Sequence, residues 1–303
     1  MKILTEAGGS LVSNFMIESI QKSGNFSVSS DIQKNCAAAN IADDFLIFPR
    51  VSDNELWNEI ENILINKKID IVIPSFDEML MGWSKRKEYF AMKGIQVLIS
   101  PQHVINIFQD KWKTYEFFSK YSIPAPLTSL SPEFPFLKPR FGRGSEGIFV
   151  EKDVSERVKK FQKDYVSQEI ISGIEYTVDC LFDHLNKPVY IIPRKRQNVS
   201  KGKSLSGIVC MNEKIINEVK KLANATSFIG PINIQLFLEN NVEQTVKFIE
   251  VNPRIAGGMA LGFSASENWV PLFIDILKNK KIKPKAIRNN LQMFRYYKEI
   301  FVE

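Results

Sequence analysis

Seven consecutive residues, Phe248 to Arg254, combine a carboxylate, an amide oxygen and a guanidinium within one short strand and turn. Successive side chains of a strand alternate between its faces, so Glu250 and Asn252 are expected on the same face, where two oxygen ligands suit a hard cation. Pro253 is expected to end the strand, and the planar guanidinium of Arg254 suits a phosphate oxygen or a carboxylate beside such a cation. The segment therefore favours a triphosphate site, with an edge strand of solvated polar residues as the alternative.

Length and composition fit a soluble protein of two or three domains. The chain has 303 residues, of which 44% are hydrophobic and 24% charged. The net charge of +6 favours anionic ligands but is too small and dispersed for a nucleic-acid partner. The cysteines are widely spaced and the two histidines lack partners at ligand spacing, which argues against zinc. Neither a signal peptide nor a membrane-length apolar run is found, so we expect a cytoplasmic protein without a membrane partner.

Strand-like and helix-like segments alternate through the first hundred residues. The apolar patterns predict strands at Lys2 to Thr5, Phe26 to Asp31, Phe45 to Phe48, Ile69 to Pro74 and Ile95 to Ile99. A capping box at Ser52 to Glu55 predicts the start of a helix that runs to Ile65. Asp77 and Glu78 are expected to begin another helix, with a substrate amine as the alternative partner of their carboxylates. This alternation predicts a parallel, Rossmann-like sheet whose ligand loops lie at the carboxyl ends of its strands.

A glycine-rich loop lies between two strand-like segments. The glycines of Gly142-Arg-Gly-Ser-Glu-Gly147 satisfy the G-x-G-x-x-G pattern, but a strand follows them where a dinucleotide fingerprint requires a helix. We therefore predict a hairpin. With Lys138 and Arg140 ahead of it, the hairpin favours a mobile phosphate flap, because backbone N–H groups and a lysine charge are available to phosphate oxygens. A solvent-exposed hairpin is the alternative.

Two further strands offer contacts for a nucleoside. The segment Tyr165 to Ile171 reads as a strand whose backbone edge can pair with adenine, and Glu175, just beyond it, can accept hydrogen bonds from ribose hydroxyls. Two ordinary hairpin strands are the alternative. If a turn at Asn240-Asn241 joins the strands on either side, Gln235 lies beside Glu250 and adds a third oxygen to the predicted metal side.

With these motifs in this order, the chain resembles the ATP-grasp superfamily, and within it the single-unit relatives of the carbamoyl-phosphate synthase large subunit. The resemblance rests on Lys111, Lys138 with the glycine flap, Gln168-Glu169-Ile-Ile171, Glu175, Arg194, Gln235 and Glu250-Val-Asn-Pro-Arg254. It implies an α/β ATP-grasp fold with an N-terminal Rossmann-like (pre-ATP-grasp) domain over residues 1–108. A small lid region over residues 109–172 and a central α+β domain with the metal site over residues 173–303 are expected to follow.

The resemblance also implies the roles of the site residues. The nucleotide is expected to contact Lys111, Lys138, Gly142, Gly144, Ser145, Gly147, Gln168, Glu169, Ile171 and Glu175. Within this set, the lysines hold the α and β phosphates and the flap covers the β and γ phosphates. Glu169 and Ile171 frame adenine, and Glu175 binds ribose. Mg2+, or Mn2+ in its place, is expected on Gln235, Glu250 and Asn252. The catalytic residues implied are Arg254, Lys138 and Arg194, with the arginines facing the transferring phosphoryl group or the substrate carboxylate.

The activity implied is an ATP-dependent ligase that joins a carboxylate to an amine, or to a thiol, through an acyl phosphate, releasing ADP and phosphate. Its partners would be these small-molecule substrates. A homodimer is compatible with the resemblance but not implied by it. The rival hypothesis is a regulator or scaffold that binds ATP without turnover. A single unit in place of the synthase's tandem pair argues against carbamoyl phosphate production. Gln235 also stands where many ATP-grasp enzymes have an acidic metal ligand.

Overall fold

A computed structural model describes residues 1–142, 144, 146–200, 203–296 and 298–302, with only the backbone of Val199, Ser200 and Lys203. Within these residues the strands form a five-stranded, a four-stranded and a six-stranded sheet. The predicted α/β class is confirmed. In the same part of the chain, no helix combines the length and the apolar character needed to cross a membrane.

The five-stranded sheet is parallel, as the sequence predicted. Its strands are β1 (Lys2–Thr5), β2 (Phe26–Asp31), β3 (Asp44–Ile47), β4 (Ile71–Ile73) and β5 (Gln96–Val97). They lie in the spatial order β3-β2-β1-β4-β5, and every adjacent pair is parallel. The helices of this region are α1 (Ser13–Lys22), α2 (Ala38–Ile41), α3 (Leu56–Lys67) and α4 (Asp77–Met92).

The predicted helix starts of this region have different outcomes. The prediction of a capping box at Ser52 to Glu55 is wrong, because α3 begins at Leu56 and no side chain caps it. Instead, Asp53 accepts the Glu55 N–H at 2.9 Å, a local turn bond that takes the place of the box. The second prediction is confirmed, since Asp77 and Glu78 lie in the first turn of α4.

The chain then passes through two helices into the four-stranded sheet. The helices are α5 (Gln102–Phe108) and α6 (Lys111–Lys120). The sheet contains β6 (Thr128–Ser129), β7 (Phe136–Pro139), β8 (Phe149–Val150) and β9 (Tyr165–Gln168), with α7 (Val154–Lys160) before β9. Its order is β6-β9-β7-β8. The predicted glycine hairpin is confirmed, because β7 and β8 pair antiparallel on either side of the glycines.

The six-stranded sheet is antiparallel and, with the helices between its strands, makes up the rest of the chain. Its strands are β10 (Gly173–Phe182), β11 (Pro188–Ser200), β12 (Lys203–Val209), β13 (Gly230–Glu239), β14 (Val246–Asn252) and β15 (Gln292–Phe294). They lie in the order β14-β13-β10-β11-β12-β15. The helices are α8 (Glu213–Asn224), α9 (Ala260–Ala265) and α10 (Val270–Leu277), and a 3-10 turn (Gly257–Met259) precedes α9. The predicted domain boundaries fall between α5 and α6 and between β9 and β10, and stay predictions.

One apolar core spans the parallel sheet and the six-stranded sheet. It includes Ile3, Met16, Val209, Trp269 and Phe273, all buried. Phe15 on α1 meets Phe263 on α9 edge to face, with ring centroids 5.4 Å apart. Because this core is continuous, the carboxyl ends of the parallel strands are held in a fixed position beside the six-stranded sheet.

A buried carboxylate lies directly after β1. The Oε1 atom of Glu6 accepts a hydrogen bond from Trp83 Nε1 at 2.6 Å. Its Oε2 atom accepts the backbone N–H groups of Ser75 and Phe76 at 3.1 and 3.4 Å. Burial raises the pKa of Glu6 to about 7, against these three donors and with help from the nearby negative charge of Asp77.

We expect Glu6 to make stability depend on pH. Its pKa rises from 4.5 in a free glutamate to about 7 in the fold. The folded state therefore holds the proton more tightly, and its stability falls as the pH rises between these values. Urea unfolding of the wild type and Glu6→Gln should show the wild type losing about 2 to 3 kcal/mol relative to the variant between pH 5 and pH 8. A stability difference independent of pH would contradict this.

Candidate functional site

A one-residue shift in strand pairing sets the direction of the polar side chains on β14. The register between β13 and β14 shifts so that Ile249 is an extra residue, which is a β-bulge. Phe248 and Val251 therefore both lie in the core. Glu250 instead lines a cavity and lies opposite Gln235, the pairing that the sequence predicted.

The three predicted metal ligands line one cavity together. The Glu250 carboxylate is half-buried, and within the described residues neither it nor the Gln235 amide has a hydrogen-bond partner. Asn252 is 8% exposed, and its Oδ1 accepts a bond from Arg254 Nη2 at 3.3 Å. No group of three or more His, Cys, Asp or Glu side chains suited to a metal occurs in the described part of the chain. One carboxylate beside two amides fits Mg2+, which commonly takes its remaining ligands from water and substrate phosphates.

A cavity of about 370 Å³, the first cavity, lies between the four-stranded and six-stranded sheets. Predicted nucleotide residues that line it are Lys111, Lys138, Gly142, Gly144, Gln168, Glu169, Ile171 and Glu175. Gly147 does not line it. That glycine has a φ of +70°, and a Cβ added to it would lie 2.9 Å from the Tyr165 hydroxyl, so it closes the hairpin against β9. Ser145 lies outside the described residues.

Lys138 is a buried cation that lines the first cavity. Its side chain donates to Gln168 Oε1 at 2.9 Å, and within the described residues it forms no ion pair. Burial and the nearby charge of Lys111 lower the pKa of Lys138 to about 8, although Glu250 opposes the shift. A buried ammonium without an ion-pair partner in the described part of the chain is well placed to bind an anion.

The second predicted lysine fixes the start of the glycine hairpin. Lys111 Nζ donates to the carbonyl oxygens of Gly142 at 3.0 Å and Arg140 at 3.5 Å. Arg140 in turn binds both oxygens of Asp110, which caps α6. The charge of Arg140, expected from the sequence to assist phosphate binding, is therefore engaged in holding β7 to α6. Ordering of the flap on nucleotide stays a prediction.

The segment after β9 presents a free backbone edge to the first cavity. Glu169 is engaged, since its carboxylate accepts from Lys247 Nζ at 2.7 Å and its N–H donates to Leu127 O at 2.9 Å. The N–H and C=O groups of Ile171 make no hydrogen bond within the described residues. The nearby lining includes Pro126, Phe136, Ile148, Phe237 and Ile249. An apolar slot beside a free donor and acceptor suits a purine base.

A second cavity of about 490 Å³ lies between the parallel sheet and the six-stranded sheet. On one side it is lined by residues at the carboxyl ends of β1, β2 and β4, where the sequence predicted ligand loops. Arg254 lines it and spans the gap, because its Nε donates to Asp77 Oδ1 on α4 at 2.7 Å. Asp77 thus has Arg254 as a partner, a contact between the start of α4 and the turn after β14 that sequence reasoning missed.

Arg194 is held by a buried carboxylate that sequence reasoning also missed. Its Nε donates to Asp179 Oδ2 at 2.9 Å, and Asn233 Nδ2 donates to the other oxygen at 3.0 Å. Burial raises the pKa of Asp179, while the Arg194 guanidinium opposes that shift. A charged residue inside the apolar strand β10 was the available signal. Glu175, the predicted ribose ligand, is likewise paired with Arg196.

Comparison with known proteins agrees with this arrangement. Residues 108–258 match the model of the ATP-grasp domain, and residues 8–98 match that of the PylC-like N-terminal domain. The chain belongs to the ATP-grasp superfamily, with a PylC-like N-terminal domain ahead of its ATP-grasp domain. The resemblance found in the sequence is confirmed.

The relatives differ in activity. The chain is 23% identical over 264 residues to a carbamoyl-phosphate synthase of Methanobrevibacter smithii, covering 78% of this chain and 70% of the relative. Its fold is similar to the biotin carboxylase domain of Hydrogenobacter thermophilus 2-oxoglutarate carboxylase, solved with MgADP, ADP and bicarbonate (TM-score 0.75, 16% identity, 96% of this chain and 73% of that one). It is also similar to Staphylococcus aureus N5-carboxyaminoimidazole synthetase with ADP (TM-score 0.74, 17% identity, 93% and 78%). The ATP-grasp fold is confirmed.

Binding of Mg-ATP is expected to take up a proton above pH 8. The pKa of Lys138 is about 8 without an anion, and a triphosphate beside the ammonium would raise it. Calorimetry at pH 8.5 in buffers of different ionisation enthalpy should detect uptake, with affinity falling by up to about tenfold per pH unit above this pKa. In Lys138→Arg the guanidinium stays charged, so both effects should vanish. Equal uptake in that variant would exclude Lys138.

Proposed function

We propose that the chain is an ATP-dependent ligase that joins a carboxylate to an amine through an acyl phosphate, releasing ADP and phosphate. The observation that carries this proposal is the position of Gln235 and Glu250, which line the first and the second cavity alike. A cation held there would lie where a nucleotide in the first cavity meets a substrate in the second. A thiol is the alternative nucleophile.

In this proposal the first cavity holds the nucleotide. Adenine would pair with the free backbone edge at Ile171, among the apolar side chains around it. Ribose would lie near Glu175. The phosphates would extend toward Lys138, which has no carboxylate partner in the described part of the chain, and under the glycine hairpin that Lys111 holds at its start. Glu250, Asn252 and Gln235 would hold Mg2+, or Mn2+ in its place, which when bound neutralises charge on the triphosphate.

The second cavity supplies fixed positive charge for the carboxylate. A carboxylate approaching a triphosphate is repelled, and the repulsion must be cancelled in the transition state. Arg254 and Arg194 line this cavity and are held in place by Asp77 and Asp179. Because these ion pairs exist before any substrate binds, little reorganisation is needed when charge develops.

The reaction then follows in two displacements. A carboxylate oxygen attacks the γ phosphorus, the bond from that phosphorus to the β-phosphate oxygen breaks, and ADP leaves. The amine nitrogen attacks the carbonyl carbon of the acyl phosphate, the bond from that carbon to the phosphate oxygen breaks, and the departing phosphate takes the proton that the nitrogen loses. The bulk of the charge stabilisation falls to Lys138, Arg194 and Arg254. Neither step uses a histidine or cysteine nucleophile.

Removal of the proposed metal ligands is expected to weaken Mg-ATP binding. Glu250→Ala should lower the affinity, and Glu250→Ala with Asn252→Ala should lower it by at least about tenfold, because the only carboxylate of the set is lost. Calorimetry with and without excess EDTA separates metal-dependent binding from the rest. Glu243→Ala, in the exposed turn before β14, is the matched control. Equal Mg-ATP affinity in the folded double variant and the wild type would sink the metal assignment.

Product analysis tests the mechanism. With a productive carboxylate, hydroxylamine should trap a hydroxamate in step with ADP formation. Arg254→Ala should lower kcat by about 100-fold to 1,000-fold while changing the Kd of Mg-ATP far less, since Arg254 lines the second cavity and not the first. AMP and pyrophosphate as products would contradict the acyl phosphate. Absence of carboxylate-stimulated hydrolysis in the wild type would favour the ATP-binding regulator instead.

A further inference from the structure

Apart from Glu250, the proposed metal ligand, two charges that line the second cavity have no oppositely charged partner within the described residues. They are Asp31, directly at the end of β2, and Arg295, directly after β15. The other arginines of the cavity are paired: Arg194, Arg196 and Arg254 each bind a carboxylate. With Glu250 assigned to the metal, one unpaired negative and one unpaired positive charge remain in the cavity, which indicates a ligand that carries both signs.

Arg295 is positioned but not neutralised. Its Nη2 donates to Gly257 O at 2.6 Å and its Nε to Ser204 O at 3.2 Å, so its described partners are backbone carbonyl groups. The guanidinium of Arg194 lies against Gly258, the residue after Gly257. A Cβ added to Gly258 would lie 2.0 Å from Arg194 Nη2. Burial and the charge of Arg194 lower the pKa of Arg295. Two guanidiniums this close favour a carboxylate between or beside them.

Asp31 lines the side of the cavity that the parallel sheet forms. Its Oδ2 accepts the Gly9 N–H at 2.9 Å and its Oδ1 accepts the Ile32 N–H at 2.7 Å. A carboxylate offers about four acceptor positions, so these two bonds fix its orientation and leave capacity for a further donor. An ammonium group matches both the charge and the hydrogen-bonding need.

We propose that the second cavity binds a zwitterionic amino acid, with its carboxylate at Arg295 and Arg194 and its ammonium group at Asp31. The inference rests on the proposed function, because the amino acid is the carboxylate substrate of that ligase. A cavity of about 490 Å³ is of ordinary size for a small-molecule site. Arg295 lies beyond residues 108–258 that match the ATP-grasp domain, and Asp31 lies in the PylC-like domain, so the specificity comes from both flanks of the ATP-grasp domain.

The first measurement compares ligands on the wild type. The twenty protein amino acids are screened by thermal shift with a non-hydrolysable Mg-ATP analogue present, and Kd values follow by calorimetry. For the best amino acid, the same acid without its amino group and the same amine without its carboxylate are measured in parallel. We expect the amino acid to bind about 10-fold to 100-fold more tightly than either analogue. Equal binding of the analogue without the amino group, or no amino acid binding, would overturn the proposal.

The second measurement uses variants. Arg295→Gln should weaken the amino acid about 10-fold to 100-fold and leave the Mg-ATP analogue unaffected, with Arg295→Lys as a milder substitute if it misfolds. In Asp31→Asn, the amino acid and the same acid without its amino group should bind with nearly equal Kd values, because the carboxylate proposed to bind the ammonium group is gone. Arg288→Gln and Asp53→Asn, which change exposed residues, are the matched controls. Variants at Arg295 and Asp31 that bind like the wild type would refute the assignment.

Turnover separates this proposal from the ligase proposal. If the wild type releases ADP as fast with simple carboxylates as with amino acids, the amino-acid site is wrong and the ligase stands. If no carboxylate stimulates ADP release while Mg-ATP still binds, the ligase proposal is wrong. The amino-acid proposal, which depends on it, is then wrong as well.

Discussion

A one-residue shift in the pairing of β13 and β14 determines which way the polar groups of the site face. Without the extra residue at Ile249, alternation would place Phe248 and Glu250 on the same face, and one of them would be wrongly solvated or wrongly buried. The bulge lets Phe248 and Val251 fill the core while Glu250 reaches the junction of the two cavities.

The buried cations are the second constraint, since each costs solvation energy unless charge or acceptors surround it. Arg194 and Arg254 are neutralised by Asp179 and Asp77 and so have fixed positions. Lys138 has an amide oxygen as its hydrogen-bond partner and no ion pair within the described residues. The fold thus combines positioned guanidiniums with a less compensated ammonium, an arrangement that favours an anionic ligand over an empty site.

The relation of the three sheets decides where the cavities lie. A continuous apolar core fixes the parallel sheet against the six-stranded sheet, and the second cavity forms above it. The four-stranded sheet has polar contacts with the elements around it, among them Arg140 with Asp110 at the start of α6 and Glu169 with Lys247 on β14. A polar, partly exposed connection is more easily broken than a packed core, which agrees with the proposal that a nucleotide enters and leaves beside this sheet.

The sequence by itself determined the parallel sheet, because strands that alternate with helices pair in parallel through crossover connections. It also determined three local features: the glycine hairpin, the acidic first turn of α4 and the pairing of Gln235 with Glu250. Each of these three depends on neighbouring residues or on one turn, so periodicity and turn chemistry suffice. Only the tertiary structure decided that Asp77 pairs with Arg254, that Asp179 holds Arg194, and that Asp31 and Arg295 line one cavity. These contacts join residues far apart in the chain. The packing of whole sheets brings these residues together, and no local sequence pattern predicts that packing.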